Sequence, residues 1–282
     1  TRPAAAERKS LIEDDMASKI TCESCHSATP HKAHTKMNDH TDKVACQSCH
    51  IPEFARVNPT KMSWDWTTAG KLKDGRPYEE KGDLGKPVYK SIKGTFTWAK
   101  NVVPEYYWYN GSFDNIGIKD DIDPQKIVEV SHPLGSPDDP NARIHPFKIH
   151  TGKQPYDKVN KQLVAPLLSG PKGFWTTFDM NKAITLGNQT LDVPYSGEFD
   201  YVETTYAFPI THMVAPADDS LDCIQCHTRD NSRLAGISGI YMPGRDKFAI
   251  VDTIGMIAVF GALAGVTLHG LGRFFTRNGR EE

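Results

Sequence analysis

Three short segments of the chain have the residue types and the spacing of a covalent cofactor site. They read Cys22-Glu-Ser-Cys25-His26, Cys46-Gln-Ser-Cys49-His50 and Cys223-Ile-Gln-Cys226-His227, and together they use all six cysteines. Cys-x-x-Cys-His is the attachment site of c-type haem, where the two thiols join the vinyl groups and the His becomes the proximal iron ligand. The sequence therefore predicts three covalently bound haem c groups and a role in electron transfer.

Two other cysteine chemistries fit the motifs less well. A zinc knuckle needs a second pair of ligands, which the first two motifs could supply to each other. Zinc gives no reason for a His after every pair, or for the isolated third copy. A thioredoxin-like dithiol also leaves the His unexplained.

The histidines outside the motifs compete for the distal positions of the three irons. The chain has 11 histidines, and three are proximal by their place in a motif. Low-spin haem c usually takes a second His or a Met. His40 and His212 are candidates because each lies shortly upstream of a motif. His31 and His34 follow the first motif, and we expect one of them to be a ligand. His150 is a candidate from the resemblance described below. His132 and His145, each followed by Pro, are weaker candidates.

Composition bounds the class of protein and its organisation. The chain has 282 residues and a net charge of −2, so it lacks the basic footprint of a nucleic-acid-binding protein. Mean hydropathy is −0.50, and we expect the macrocycles to supply much of the apolar core.

We predict a linker or short helix over residues 1–19, a trihaem domain over 20–244, and an anchor helix with a cytoplasmic tail over 245–282. No helical or strand period persists over 61–220, so we expect a mostly helical fold with irregular loops and few short strands.

The carboxyl end carries an apolar run from Phe248 to Leu271. It is long enough to cross a bilayer as one helix. Lys and Arg are slightly more numerous on the C-terminal flank of this run than on the other. This predicts a cytoplasmic C-terminus and a periplasmic haem domain on the bacterial cytoplasmic membrane. The chain begins at Thr1 without a signal peptide, so we expect a processed chain or a segment of a longer one.

One face of this predicted helix is lined by small residues. They follow at steps of three and four: Gly255, Ala258, Ala262 and Gly265. Small residues let a second helix approach closely, so we predict an integral membrane partner subunit against this stripe. His269 ends the stripe. It is either an interfacial side chain or a ligand to a haem b, or a quinone contact, shared with the partner.

Several long segments resemble a known family. Residues 38–70, 90–112, 144–168, 173–187 and 209–227 are similar to the carboxyl-terminal half of the octahaem tetrathionate reductase family. That family belongs to the multihaem group of hydroxylamine oxidoreductase and pentahaem nitrite reductase. The resemblance implies electron-transfer haems with two His ligands and adds His150 as a distal candidate.

The departure from the family limits what the resemblance implies about activity. The family has eight haems, with its catalytic, Lys-ligated haem in the amino-terminal half, and nothing here matches that motif. We therefore expect a membrane-anchored trihaem subunit that passes electrons between a membrane partner and soluble or complexed redox proteins. The alternative is one part of a split multihaem reductase or oxidase acting on sulfur or nitrogen oxyanions.

Overall fold

A computed structural model describes residues 22–278 of the chain. The predicted linker over 1–19 lies outside the described residues, as do the last four. The chain divides into two compact units. The first contains residues 22–222 and 236–240, and the second contains 223–235 and 241–278.

The first unit is built mainly from strands. Its ten strands are β1 (Thr60–Asp65), β2 (Glu79–Lys81), β3 (Pro87–Lys90), β4 (Gly94–Ala99), β5 (Glu105–Tyr109), β6 (Phe113–Asn115), β7 (Val128–Pro133), β8 (Arg143–Asp157), β9 (Gln162–Leu163) and β10 (Phe199–Pro209). Its α-helices are α1 (Glu23–His26), α2 (Cys46–His50), α3 (Phe174–Thr177) and α4 (Met180–Thr190). Short 3-10 turns occupy Thr35–Asp42, Trp66–Thr68 and Ala217–Asp219.

All ten strands join one mixed sheet in the order β2-β3-β4-β1-β8-β10-β7-β6, with β5 and β9 also pairing with β8. The pairs β1–β8 and β7–β10 are parallel, and the others are antiparallel. The expectation of a mostly helical fold with few short strands is wrong.

The hydrophobic pattern of the sequence does not predict this sheet, for physical reasons. Register shifts interrupt β1 between Lys61 and Ser63 and β10 between Thr205 and Tyr206, so hydrophobic alternation breaks there. The central strand β8 contains two prolines and a glycine, which are depleted in strands. All six residues of β1 are partly buried, because both faces of the sheet are covered in part.

Alternation along β5 and β8 defines two faces of the sheet. The front face carries Tyr106, whose hydroxyl donates to the carbonyl of Ser48 in α2 at 3.4 Å. His150 shares this face, because Tyr106 pairs with Pro146 and residues 146, 148 and 150 alternate to one side. The back face carries Tyr107 and Phe147, whose rings meet edge to face at 5.6 Å. The front face is thus the one that contacts the second cysteine motif.

Helices α3 and α4 close one end of the sheet over a small core. Trp66, Phe174 and Ile184 are buried together there. The Asp179 carboxylate caps α4 by accepting from the Lys182 N–H at 3.0 Å. Gly187 lets the helix approach the backbone, because a Cβ at that position would lie 1.8 Å from the carbonyl oxygen of Ala165.

The second unit contains the two remaining helices, α5 (Cys223–Cys226) and α6 (Ala249–Asn278). In α6, residues 249–276 have a mean hydropathy of 2.0 for their most apolar window, and none of that window is buried. By length and composition, α6 can cross a membrane. An Arg229–Asp252 ion pair of 3.8 Å joins the segment after α5 to the start of this helix.

Candidate haem sites

The three cysteine motifs adopt the same short helical turn. The N–H of His26 donates to Cys22 O at 2.9 Å, and that of His227 donates to Cys223 O at 2.8 Å. The second motif forms α2 over Cys46–His50. Residues at i, i+3 and i+4 of such a turn share a face. In each motif the two thiols and the imidazole therefore point to one side, as attachment to a single porphyrin requires.

Two of the six thiols have raised pKa values, unlike the activated thiol of a redox site. All six cysteines are free. Burial raises the pKa of Cys46, and the neighbouring Cys22 and Glu23 raise it further. Burial also raises the pKa of Cys226. Reactive cysteines need the opposite shift. Within residues 22–278, no group of three or more His, Cys, Asp or Glu could hold a metal ion.

The first two motifs lie next to each other. The Cys22 and Cys46 thiols interact directly, and Arg143 forms a 3.5 Å ion pair with Glu23 in α1. The pKa of His50 is lowered by burial and by the nearby His31 and His26. Groups attached at these motifs would be close neighbours.

His31 and His50 face each other at the separation of two ligands on one metal. Their ring centroids are 6.2 Å apart, and the rings are within 10° of parallel. A metal–imidazole bond of about 2.0–2.1 Å, with the ring nitrogen roughly 1.1 Å from its centroid, places two opposed imidazoles roughly 6.3 Å apart. The separation and the parallel planes match those of two imidazoles on one iron, for which His50 would be the proximal ligand and His31 the distal one.

Asn38 fixes the position of His31. Its Oδ1 accepts from the His31 backbone N–H and from ring Nδ1, each at 3.1 Å, and its Nδ2 donates to the His31 carbonyl at 3.2 Å. Metal-binding histidines usually donate the second ring N–H to such an acceptor. With Nδ1 engaged, Nε2 is the nitrogen that faces a metal.

Other histidines have Nδ1 engaged in the same way. The acceptors are Lys36 O for His40 (3.2 Å), Lys61 O for His150 (3.2 Å), Pro243 O for His227 (2.8 Å) and Pro146 O for His145 (3.1 Å). In the second unit, Gly244 has φ +84, and a Cβ there would lie 2.6 Å from the carbonyl oxygen of His227. Glycine thus allows the chain to approach the backbone of His227, the predicted third proximal ligand. His34 and His212 are exposed.

The back face holds two of the histidines away from the second motif. The His145 ring packs against Tyr109 at 5.7 Å and Phe147 at 5.6 Å. His132 lies 3.1 Å from the Glu129 carboxylate and contacts the Tyr107 ring at 5.8 Å. Both residues of the His132–Glu129 pair line a cavity of about 380 Å³. No sequence pattern predicts that these side chains meet, because strands β5, β7 and β8 bring them together only in the folded sheet.

Comparison with known proteins places the fold in a family. Residues 61–230, more than half of the chain, match the family described as bacterial cytochrome c. The chain belongs to this family. Family membership implies that this cytochrome carries covalently bound haem c and works in electron transfer, and the three identical motif turns fit that cofactor.

One solved structure is closely similar to this cytochrome. It is an octahaem cytochrome c from Shewanella oneidensis, with a TM-score of 0.70 and 42% sequence identity. The match covers 76% of this cytochrome and 49% of the other chain, so this cytochrome spans about half the length of that relative. No curated protein matches significantly.

Proposed function

We propose that this cytochrome is a membrane-anchored trihaem subunit that relays electrons between a membrane partner and a periplasmic redox protein. The observation that carries the proposal is the His31–His50 pair, 6.2 Å apart and nearly parallel. An iron with both axial positions filled by histidine has no open position for substrate. Such coordination favours a relay over a catalyst.

Nine residues would attach and ligate the three haems: Cys22, Cys25, His26, Cys46, Cys49, His50, Cys223, Cys226 and His227. When bound, haem c supplies a one-electron iron couple. The chain's own residues hold the axial imidazoles in place: Asn38 orients His31, and the carbonyl of Pro243 orients His227. Rigid ligands keep the coordination the same in both oxidation states, which favours fast transfer.

The membrane side of the proposal rests on α6, whose apolar residues are exposed along its whole length. In the bacterial cytoplasmic membrane, its small-residue stripe would pack on an integral membrane subunit that carries quinone or haem b. His269 would lie near the cytoplasmic end, and the haem-bearing residues would lie in the periplasm.

A spectroscopic experiment on the full, haem-loaded chain tests the relay. We expect three haems per chain by pyridine haemochrome assay, a low-spin spectrum for each, and no spectral change when CO, cyanide or nitrite is added to the reduced protein. A high-spin fraction that binds these ligands in the native chain contradicts the proposal.

A second candidate function is favoured by the size of the octahaem relative. Because the chain matches about half of that protein at 42% identity, it could be one part of a split multihaem reductase or oxidase. The resemblance to octahaem tetrathionate reductases makes sulfur or nitrogen oxyanions the substrate class. This function predicts that a second multihaem chain co-purifies, and that the pair, but not this chain alone, reduces such oxyanions.

A further inference from the structure

A lysine in the first unit lies inside a box of aromatic rings. The Lys61 ammonium is 3.9 Å from the ring centroid of Phe96, 4.7 Å from that of Trp64 and 5.5 Å from that of Trp98. All four side chains come from β1 and β4, which pair directly. Three cation–π contacts hold the charge at a defined position, whereas a surface lysine normally samples many rotamers.

A second lysine and an unpaired donor adjoin this box. The Lys93 ammonium lies 5.7 Å from the Trp64 centroid and 5.6 Å from that of Trp175. The Trp175 Nε1–H is buried and has no hydrogen-bond partner. By contrast, the indole N–H groups of Trp64 and Trp98 donate to the carbonyls of Lys93 and Pro87 at 2.6 and 2.8 Å.

The lysines repel one another. The pKa of Lys61 is lowered by burial first, and then by Lys93, Lys148 and Lys90. Lys90 is neutralised by Glu79 at 2.7 Å, and Lys148 donates to the Thr60 hydroxyl at 2.7 Å. Within residues 22–278, no carboxylate forms an ion pair with Lys61, Lys93 or Lys148. Partly buried like charges without a counter-charge are costly unless an anion joins them.

We propose that Lys61 and Lys93 bind a small anion that presents several oxygen acceptors, with Lys148 adding positive potential. Two ammonium groups can donate to different oxygens of one carboxylate or oxyanion. Two sources have this chemistry: a propionate carboxylate of a bound haem, or a free inorganic anion. The first source rests on the proposed haem relay. A haem ligated by the candidate His150 would lie near Lys61, because the carbonyl of Lys61 accepts from His150 Nδ1.

The test compares Lys61→Gln and Lys93→Gln with Lys153→Gln in the full, haem-loaded chain. Lys153 is a matched control because it lies in β8 and pairs with Glu203 at 3.2 Å. Calorimetric titration with inorganic phosphate at constant ionic strength probes a free anion. Saturable binding in the parent and control chains, weakened at least tenfold in both test variants, supports that source.

A redox titration of the same variants probes the haem carboxylate. For this source we expect no phosphate binding. One haem should shift to a lower reduction potential in both test variants, because a positive charge beside it is lost, and not in the control. The proposal is overturned when neither phosphate binding nor any haem potential separates the test variants from Lys153→Gln.

One further variant keeps the test decisive if Lys61→Gln does not assemble. Lys93→Arg retains the charge and should behave like the parent. Parent-like behaviour of Lys93→Gln refutes the site. High-spin, CO-binding haems in the parent would contradict the relay and leave the phosphate result unaffected.

Discussion

Replacing His31 with Ala tests the coordination of the second haem directly. The variant should fold, because two of the three hydrogen bonds between His31 and Asn38 use the His31 backbone and survive the substitution. Only the bond to ring Nδ1 is lost. The iron bound by His50 then loses its distal ligand and becomes five-coordinate or takes up water.

The size of the effect follows from the number of motifs. One iron in three should change from low to high spin, and the reduced variant should bind about one CO per chain, where the parent binds none. Absorbance and EPR spectra of the purified full chain measure the spin change, and CO titration measures the stoichiometry. His31→Met should keep the iron low-spin and raise its reduction potential, because a thioether ligand raises the potential of haem c.

His34→Ala is the matched control for this prediction. His34 is three residues away, is exposed, and was an equal candidate on the sequence alone. Its loss should leave all spectra unchanged. If His34→Ala produced the high-spin haem and His31→Ala did not, the inference drawn from the 6.2 Å ring separation would be wrong.

Three further predictions concern stability and assembly. Asp157→Asn should cost about 3 kcal/mol in urea unfolding at neutral pH, since a buried carboxylate that accepts from Val159, Asn160 and Ser196 is lost. Gly187→Ala should cost about 2 kcal/mol in the same assay, because its Cβ meets the Ala165 carbonyl. Gly265→Leu in α6 should reduce co-purification of a membrane subunit, while Phe260→Leu, on the opposite side of the helix, should not.

The Asp157 prediction carries a pH dependence. Burial by itself would raise the pKa of Asp157, but hydrogen bonds from Asn160, Ser196 and Val159 together lower it below 3.8. Its contribution to stability is therefore complete above the unfolded-state value and is lost as pH falls through the lower folded-state value. The parent should lose stability in this acid range, and Asp157→Asn should lose less. Equal acid sensitivity of the two proteins would contradict this account.

The cysteine motifs were predictable from sequence because their geometry is local. Cys22 and His26 are joined by one helical turn, so spacing alone determines which way they face. For the distal ligand opposite His50, the sequence alone leaves His31 and His34 as equal candidates. The choice between them depends on a 3-10 turn and on Asn38. The box around Lys61 needs the pairing of β1 with β4, across a register shift that breaks the alternation. No periodic pattern records such a contact.

The second unit determines where the third haem would lie relative to a bilayer. The Nδ1 of His227 is hydrogen-bonded to Pro243 O at 2.8 Å, and α6 begins six positions later, at Ala249. Six residue steps span at most about 20 Å when fully extended. If α6 crosses the membrane, an iron on His227 must therefore lie close to the bilayer surface, whatever the orientation of the first unit. On the proposed function, the third motif would then exchange electrons with the membrane partner, and the adjacent first two motifs would serve the soluble partner. A variant that lacks the third motif should accordingly lose reduction by the membrane partner, while the first two haems remain reducible by a soluble donor.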